Sequence, residues 1–326
     1  MSFETPPGCA TATDNYAISP NEPIPDGGVI TSTISLAGVG SYLWDVVVTT
    51  DIPHGWSQDL DVFLVSPDGS RVTLTTDNGG SFANFFENAT WRDDAGETNP
   101  PGPVTLVGFA PGSPMSPEEP LGALRGEDPN GDWKLEVHDD EALVTGTLVS
   151  WGLQLITLAA APEVVTTTIS DFAQYNIPDN GTPVNVTLPV EQQYAALGRV
   201  ELETQIRHPL SNDLVIELIP PSGITITVAE GQGGAKANVF DGTHWTDREG
   251  VANDLATVTD AAYSDGVTES PLTPQEPFSA AAGRQPGGNW KLRVTDGTND
   301  SNTGTIEAVT LTTASYICRP ELSVSV

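Results

Sequence analysis

A nine-residue stretch that occurs twice constrains this chain more than any other feature. Its first copy, Gly131–Asp139, has the sequence GDWKLEVHD, and its second copy, Gly288–Asp296, has the sequence GNWKLRVTD. In both copies Trp, Leu and Val alternate with polar residues, and this period of two is typical of a strand with one buried face. The repetition therefore predicts two tandem copies of one β-domain.

Further matching segments extend the repeat over nearly the whole chain. The segment His54–Leu60 matches His208–Leu214, and a turn with Pro and Gly follows each strand that these segments enter. Gly and Pro are abundant, at 32 and 27 residues, and no capped amphipathic helix is evident, so we predict an all-β fold of two tandem β-sandwiches. The predicted divisions are an N-terminal tail (1–15), the first β-sandwich (16–158), a linker (159–171), the second β-sandwich (172–318) and the start of a further linker or domain (319–326).

The charge of the chain argues against some classes of partner. It has 44 acidic and 12 basic residues, which gives a net charge of -32 at pH 7. Nucleic acids and anionic membrane surfaces attract cationic faces, and no apolar run approaches the ~18 residues of a membrane span, so we expect neither nucleic-acid binding nor membrane insertion. Three explanations of the acidity stay open: solubility in a salty or extracellular medium, calcium binding by some carboxylates, and an acidic surface for a basic partner.

Two cysteines, Cys9 and Cys318, lie near opposite ends of the chain. A disulfide between them would tie the ends together and would require an oxidising compartment, whereas the alternative is two unrelated thiols. The first residues show neither a basic segment nor an apolar run, so no signal peptide is evident. We favour the disulfide, and we expect the chain to be an excised part of a secreted or cell-surface protein.

The order of the motifs resembles the P domain (P/Homo B domain) of kexin- and furin-like proprotein convertases. The motif H-x(4)-D-L is followed by S-P-x-G, then by G-x-W-x-L-x-V-x-D, and then by T-G-x-L-x-x-W-x-L. The resemblance covers residues 20–157 and 172–315, and the second copy departs from it at Pro220 in the turn and at Val309 in place of the last Trp. It implies a jelly-roll β-sandwich in each copy.

The resemblance also implies a role without catalysis. In convertases the P domain follows a subtilisin-like protease domain, packs against it, supports its folding and stability, and carries no catalytic residues. Similar domains occur in exported bacterial proteins away from proteases. The partners implied are neighbouring domains of the same polypeptide or another protein.

The chain shows no catalytic segment of the subtilisin kind. A subtilase needs Ser, His and Asp in characteristic contexts, and neither its nucleophile segment nor its histidine segment is present. Among the four histidines, His54 and His208 are equivalent positions without a partnered serine, and His138 becomes Thr295 in the second copy. We therefore predict that the chain is not an enzyme, and we keep a hydrolase of unfamiliar type only as a third hypothesis.

Acidic residues that recur in both copies, together with Asp94 next to one of them, are the candidate calcium ligands. The set comprises Asp59, Asp93, Asp94, Asp213 and Asp247. Calcium binds about six to eight oxygens from carboxylates and backbone carbonyls, and Asp59 at a strand entrance together with Asp93 and Asp94 after another strand offers such a set. The alternative is that recurring acids cap turns or accept backbone hydrogen bonds, which we favour for Asp139 and Asp296. Because Asp94 is Arg248 in the second copy, we expect any site there to be weaker.

Two hypotheses about function follow. In the first, the chain is a non-catalytic structural and protein-interaction module of an exported multidomain protein, stabilised by calcium, that stabilises or presents neighbouring domains. In the second, it is a calcium-dependent adhesion module that binds a glycan or a protein. A flat acidic surface with buried tryptophans would favour the first, and exposed aromatic side chains beside a metal loop would favour the second.

Overall fold

The computed structural model describes residues 5–97, 103–105, 114–191, 195–247 and 256–318, which form strands and short 3-10 turns. The strands of the first copy are β1 (Thr11–Ile18), β2 (Glu22–Ile24), β3 (Val29–Leu36), β4 (Tyr42–Asp51), β5 (Leu60–Val65), β6 (Arg71–Thr75), β7 (Ala89–Trp91), β8 (Pro114–Met115), β9 (Gly131–Asp139), β10 (Gly146–Leu148) and β11 (Ser150–Leu158). Those of the second copy are β12 (Glu163–Asp171), β13 (Tyr175–Ile177), β14 (Val184–Val190), β15 (Ala196–Arg207), β16 (Leu214–Ile219), β17 (Ile226–Glu230), β18 (Asp241–Thr246), β19 (Ala256–Thr257), β20 (Leu272–Thr273), β21 (Gly288–Asp296) and β22 (Gly304–Ile317). The 3-10 turns span Ser57–Asp59, Asp93–Glu97, Leu121–Leu124, Ser211–Asp213 and Phe278–Ala281. The predicted all-β fold is confirmed, and no helix among the described residues is long and apolar enough to cross a membrane.

Each copy folds into two sheets around one apolar core. In the first copy the hydrogen-bonded strands follow the order β1-β11-β4-β7-β8 in one sheet and β3-β9-β5-β6 in the other, with a small ladder of β2 and β10. In the second copy the orders are β12-β22-β15-β18-β20-β19, with β13 also on β22, and β14-β21-β16-β17. Early and late strands of each copy alternate within its sheets, which is the jelly-roll arrangement that the resemblance implied.

The repeated Trp strands are β9 and β21, and each lies inside its sheet. Their Trp, Leu and Val side chains are fully buried while the residues between them are not, as the alternation predicted. Trp133 donates its indole N–H to the carbonyl of Pro129, and Trp290 donates to that of Pro286, both at 2.9 Å. Burial of a large ring whose polar atom is satisfied makes these positions anchors of the two cores.

Both copies begin earlier in the chain than the sequence predicted. Residues 11–15 are not part of a tail but belong to β1, which pairs along its length with β11. Residues 163–171 are not a linker but form β12, which pairs in the same way with β22. These edge strands bury none of their side chains fully, so they lack the apolar alternation that marks a strand in a sequence. Residues 319–326, predicted to start a further linker or domain, lie outside the described residues.

The two copies pack directly against each other. A small apolar cluster joins them and consists of Trp44, Leu158, Ala196, Ala314 and Tyr316. Arg125 of the first copy lies over the Trp44 ring, donates Nε to the Trp44 carbonyl at 2.9 Å, and donates a second N–H to the carbonyl of Gly198 in the second copy. The structure also contains the expected disulfide between Cys9 and Cys318. The copies are therefore linked by packing, by hydrogen bonds and by a covalent bond.

Candidate functional site

A buried cluster of His54, Asp59 and Asp139 lies where the H-x(4)-D-L motif of the first copy enters strand β5. The 3-10 turn Ser57–Asp59 ends directly before β5, and β9 ends at Asp139. In the antiparallel ladder of β5 and β9, Leu60 stands opposite Asp139. This register brings the carboxyl groups of Asp59 and Asp139 together beside the imidazole of His54.

The cluster contains carboxylate oxygens that no protein group satisfies. One ligand atom from each of His54, Asp59 and Asp139 lies within 4.8 Å of the other two, and all three side chains are buried. Both carboxylate oxygens of Asp59 and Oδ1 of Asp139 have no hydrogen-bond partner. A buried carboxylate without a partner is costly, and a proton or a bound cation removes that cost. These three buried oxygens make the cluster the candidate cation site of the first copy.

Both ring nitrogens of His54 face oxygen atoms. Nδ1 lies 2.5 Å from the carbonyl oxygen of Trp56, and Nε2 lies 3.2 Å from Oδ2 of Asp139. The backbone nitrogen of Trp56 also lies 3.3 Å from Nδ1, but a hydrogen bond from its N–H would need an Nδ1 without a hydrogen. We therefore assign the protonation of Nδ1 from the shorter contact with the carbonyl. Because a carbonyl only accepts, Nδ1 carries a hydrogen, and the contact at Nε2 then needs a second proton on either His54 or Asp139. The contact between Nε2 and Oδ2 of Asp139 uses this proton, and Oδ1 of Asp139 and both oxygens of Asp59 are left without a hydrogen-bond partner.

The surroundings of Asp59 favour binding of a positive charge. Burial raises the pKa of Asp59 above its ordinary value of 3.8, and a charged His54 opposes that increase. The negative charges of Asp139, Glu141 and Asp140 raise the pKa of Asp59 further. An acidic group that is buried among other acids gains from a proton or from a metal ion.

The second copy repeats the cluster with one difference. Nε2 of His208 lies 3.2 Å from Oδ2 of Asp296, and Oδ2 of Asp213 is buried without a partner. Here Thr298 donates its backbone N–H and its hydroxyl to Oδ1 of Asp296, at 3.1 and 3.2 Å. Glu141 stands at the equivalent position in the first copy. Thr298 thus satisfies in the second copy the oxygen that is without a partner in the first copy.

The family model of the proprotein convertase P-domain matches residues 43–155 and 197–313. The two matched segments together make up more than half of the chain, and each covers most of one copy. This chain belongs to the proprotein convertase P-domain family. P domains are non-catalytic accessory domains of proprotein convertases, and the chain contains two of them in tandem.

Several solved structures are distantly similar to this pair of P domains. The serine protease of Aeromonas sobria is 20% identical, with 45% of this chain and 27% of the protease covered and a TM-score of 0.30. The same protease in complex with the chaperone ORF2 gives 20% identity, 46% and 28% coverage, and a TM-score of 0.29. PNGase F, a glycosylasparaginase from Flavobacterium meningosepticum, is 9% identical over 95% of this chain and 97% of the enzyme, with a TM-score of 0.25. These TM-scores are too low to support a functional inference, and no curated protein sequence matches the chain.

Two of the predicted calcium ligands lie at the interface between the P domains and not beside Asp59. Asp93 accepts hydrogen bonds from two backbone N–H groups that open the 3-10 turn Leu121–Leu124, at 2.9 and 2.7 Å. Asp247 does the same at the equivalent turn Phe278–Ala281, at 2.8 and 2.5 Å. The hydroxyl of Ser279 in the second P domain also donates to Asp93, at 2.5 Å. Both carboxylates thus cap turns, which is the alternative to metal binding that the sequence analysis gave for recurring acids.

Asp94 forms an ion pair with Arg92, in which two guanidinium N–H groups donate to the two carboxylate oxygens. Its equivalent in the second P domain, Arg248, lies outside the described residues. The predicted set therefore separates: Asp59 and Asp213 lie in the two buried clusters, and the other three lie elsewhere.

Sequence reasoning missed the partners of Asp59. The sequence offers His54 only as a catalytic candidate, and for Asp139 it favours a turn-capping role over metal binding. The available signal was that the His, the Asp of D-L and the last Asp of the Trp strand recur together in both P domains. What the sequence did not show is the strand register that makes these three residues neighbours.

Among the residues that the structure describes, no serine, threonine or cysteine side chain forms a hydrogen bond with the side chain of His54 or Asp139. Ser57, the nearest serine in the motif, is buried and donates its hydroxyl to the carbonyl of Phe82 at 2.8 Å. The same hydroxyl accepts the N–H of Phe85 at 3.0 Å. Backbone groups of the Phe82 loop therefore fix both the donor and the acceptor function of this serine.

Proposed function

We propose that this chain is a non-catalytic structural and protein-interaction module of an exported multidomain protein, in which a rigid pair of P domains stabilises or presents neighbouring domains. The observation that carries the proposal is the pairing itself. Arg125 and the apolar cluster around Trp44 bury the contact between the copies, and the Cys9–Cys318 disulfide links the ends of the described chain. The neighbours are other domains of the same polypeptide, including a subtilisin-like protease, or another protein.

The rigidity of the pair is measurable in solution. NMR relaxation of backbone amides gives a rotational correlation time for each P domain, and a single rigid unit gives one common value. We expect the two P domains to share that value. Separate values for the two would contradict a rigid pair and would leave two independently moving domains.

The disulfide supports an exported location. Cys9 and Cys318 are 309 residues apart in the sequence and are nevertheless joined. Disulfides form and persist in oxidising environments and are rare in reducing ones. We therefore propose that the module is secreted or displayed at the cell surface.

Calcium is the proposed stabilising ion of the first P domain. Asp59 and Asp139 provide three free oxygens of the about six to eight that calcium binds, and backbone carbonyls and water supply the others. His54 does not suit calcium, which prefers oxygen, and its two ring nitrogens already contact Trp56 and Asp139. The bound ion supplies positive charge between Asp59, at the end of the 3-10 turn before β5, and Asp139, at the end of β9.

Thermal unfolding of the whole chain with calcium and with excess chelator tests this proposal. An ion that binds only the folded state stabilises it by RT ln(1 + [L]/Kd), about 2.7 kcal/mol at a hundred times Kd. We expect Asp59→Asn to abolish the calcium shift, and Asp213→Asn, the matched change in the second P domain, to retain most of it. Without calcium, Asp59→Asn should melt above the wild type, because the neutral amide removes a buried charge.

A calcium shift that survives Asp59→Asn would exclude this cluster as the site. A shift with zinc but not with calcium would also contradict the calcium proposal. In that case His54→Gln should abolish the zinc effect, since imidazole nitrogen is a good zinc ligand and a poor calcium ligand.

One observation favours the adhesion hypothesis as an alternative. Trp56 and Phe82 are 49% and 57% exposed, and Trp56 is two residues from His54 of the candidate calcium site. Exposed aromatic side chains are enriched in surfaces that bind proteins, and they also stack on sugars. Calcium-dependent binding to a glycan or protein, measured with and without chelator, would support this alternative.

A further inference from the structure

Three large apolar side chains extend into solvent at one end of the first P domain, and together they form what we term the Trp56 surface. Trp56 is 49% exposed, Phe82 57% and Leu143 92%. The other six of the seven tryptophans in the chain are fully buried. The fold thus buries six tryptophans, whereas Trp56 lies at the surface.

The backbone of Trp56 lies between the loops that carry the other two side chains. On one side, Ser57 donates its backbone N–H and its hydroxyl to the carbonyl of Phe82, at 3.1 and 2.8 Å. On the other side, Gly55 lies so close to Val144 that a Cβ on this glycine would be 2.4 Å from the valine side chain. Val144 follows directly after Leu143, so the three loops that carry the exposed side chains adjoin one another.

Leu143 is held in a backbone conformation that bulky residues rarely adopt. Its φ is 93°, and its N–H donates to a carboxylate oxygen of Asp26 at 3.0 Å. The side chain is almost fully exposed, so the core gains nothing from this conformation. The hydrogen bond to Asp26, and not packing of the side chain, accompanies this conformation.

The second P domain forms the same loop without the apolar side chain. Ser301 occupies the position of Leu143, also has a positive φ of 76°, and also donates its N–H to an aspartate, Asp179. The other equivalents are Leu210 for Trp56 and Lys236 for Phe82. The fold of a P domain therefore does not require the Trp56 surface, since the second copy folds with other residues there.

The charge around the Trp56 surface is acidic. Asp140 and Glu141, both exposed, precede Leu143 in its loop, and Asp77 is exposed near the start of the Phe82 loop. The segments 24–30, 51–61, 76–91 and 138–146 contain no Lys or Arg. A partner that covers this surface must offer apolar side chains at its centre and positive charge around them.

We propose that the Trp56 surface docks a basic segment of another polypeptide, whose Leu, Phe or Trp side chains pack on Trp56, Phe82 and Leu143. The proposal rests on the interaction role proposed above and specifies its partner. Aromatic anchors that become desolvated inside a charged rim carry most of the binding energy of protein interfaces. The acidic rim then selects for Lys and Arg next to those apolar residues.

The candidate calcium site lies directly behind this surface and supports its loops. His54 contacts the carbonyl of Trp56 at 2.5 Å, and the N–H of Asp140 donates to the carbonyl of Asp59 at 3.1 Å. Occupation of the site therefore acts on two of the loops that form the Trp56 surface. We expect calcium to increase the affinity for the basic segment.

Calorimetric titration of the whole chain with a synthetic peptide of alternating Lys and Leu tests the proposal. The variant that combines Trp56→Leu, Phe82→Lys and Leu143→Ser exchanges each residue for its equivalent in the second P domain, which preserves the fold. We expect this variant to bind the peptide at least about tenfold more weakly than the wild type. Phe172→Lys is the matched control, since it removes an aromatic side chain that is 76% exposed in the second P domain and adds the same charge; it should bind like the wild type.

Peptide chemistry provides the second half of the test. A Lys and Gln peptide lacks apolar side chains, and a Glu and Leu peptide lacks positive charge, so we expect neither to bind. Equal binding by the triple variant, or equal binding of the Lys and Gln peptide, would overturn the proposal, because attraction by net charge alone would then suffice. Binding of neutral oligosaccharides or phosphatidylcholine vesicles in place of the peptide, with loss in the triple variant, would also overturn it.

The same titrations separate this proposal from the calcium proposal. Peptide binding that requires the three side chains but is unchanged by chelator upholds the docking surface and counts against its support by calcium. A calcium shift in thermal unfolding, without binding of the Lys and Leu peptide, upholds the ion site and overturns the docking surface.

Discussion

Asp45 makes the stability of the P-domain pair sensitive to pH. This residue follows Trp44 in β4, is buried, and has one carboxylate oxygen without a partner. Burial raises its pKa from 3.8 to about 8; Arg125 opposes this increase, and Asp93 and Asp94 add to it. The folded chain therefore keeps a proton on Asp45 at a pH where the unfolded chain has lost it.

The pKa of Asp45 sets the sign and size of the effect. The stability associated with this proton is fully present below the unfolded pKa near 4 and is lost as the pH rises towards about 8, because the folded state binds more protons in that window. The loss is about 1.4 kcal/mol per pH unit, or about 3 kcal/mol between about pH 5 and about pH 7. The side chain of Asp45→Asn cannot titrate. The free energy of unfolding of this variant, relative to that of the wild type, should therefore increase by this amount over the same pH interval.

Urea unfolding followed by tryptophan fluorescence at several pH values measures this difference. Asp68→Asn is the control, because Asp68 is exposed in a turn and should leave the wild-type slope unchanged. Burial also raises the pKa of Asp247 to about 7, with Asp93 adding to the increase, so some slope will persist in Asp45→Asn. If the stability of Asp45→Asn falls with pH as steeply as that of the wild type, the reasoning about Asp45 is refuted.

Three further predictions concern the contact between the P domains. Arg125→Met keeps much of the packing on Trp44 but leaves the carbonyl of Gly198 without its donor. We expect the free energy of unfolding in urea to fall by about 2–4 kcal/mol. A decrease below about 0.5 kcal/mol would contradict the role of Arg125. Gly198→Ala places a Cβ 1.9 Å from the Tyr316 ring, so its thermal midpoint should fall by several degrees, and an unchanged midpoint would show that Tyr316 moves freely. Reduction of Cys9–Cys318 should lower the free energy of unfolding by up to about 5 kcal/mol, as measured with and without reductant, whereas no change would mean that the non-covalent contact alone holds the ends in place.

The strands that carry the cores were predictable because their signal is local. Apolar and polar residues alternate along β9 and β21, and a side chain on one face of a strand is buried or exposed whatever the rest of the chain does. The edge strands β1 and β12 escaped prediction for the opposite reason, since both of their faces are largely exposed. Their place is determined by hydrogen bonds to β11 and β22, and the alternation of apolar and polar residues does not encode those partners.

The candidate site was predictable only in part. Asp59 was identified because it recurs as Asp213, and recurrence shows that a residue matters to the unit without showing what it contacts. Recurrence also pointed to Asp93 and Asp247, whose oxygens cap turns at the interface. From sequence alone a carboxylate that caps a turn and one that is left free look the same, because the difference lies in which donors the fold brings to them.

The sequence by itself determined the all-β class, the duplication, the alternation of buried and exposed side chains, and the family to which the two copies belong. Tertiary structure alone decided that His54 and Asp139, 85 residues apart, share one buried cluster. It also decided that Asp93 meets Ser279, which is 186 residues away. The physical reason is that strand faces follow from the local periodicity of apolar residues, whereas a site made from distant polar residues depends on strand register and on how two folded copies meet.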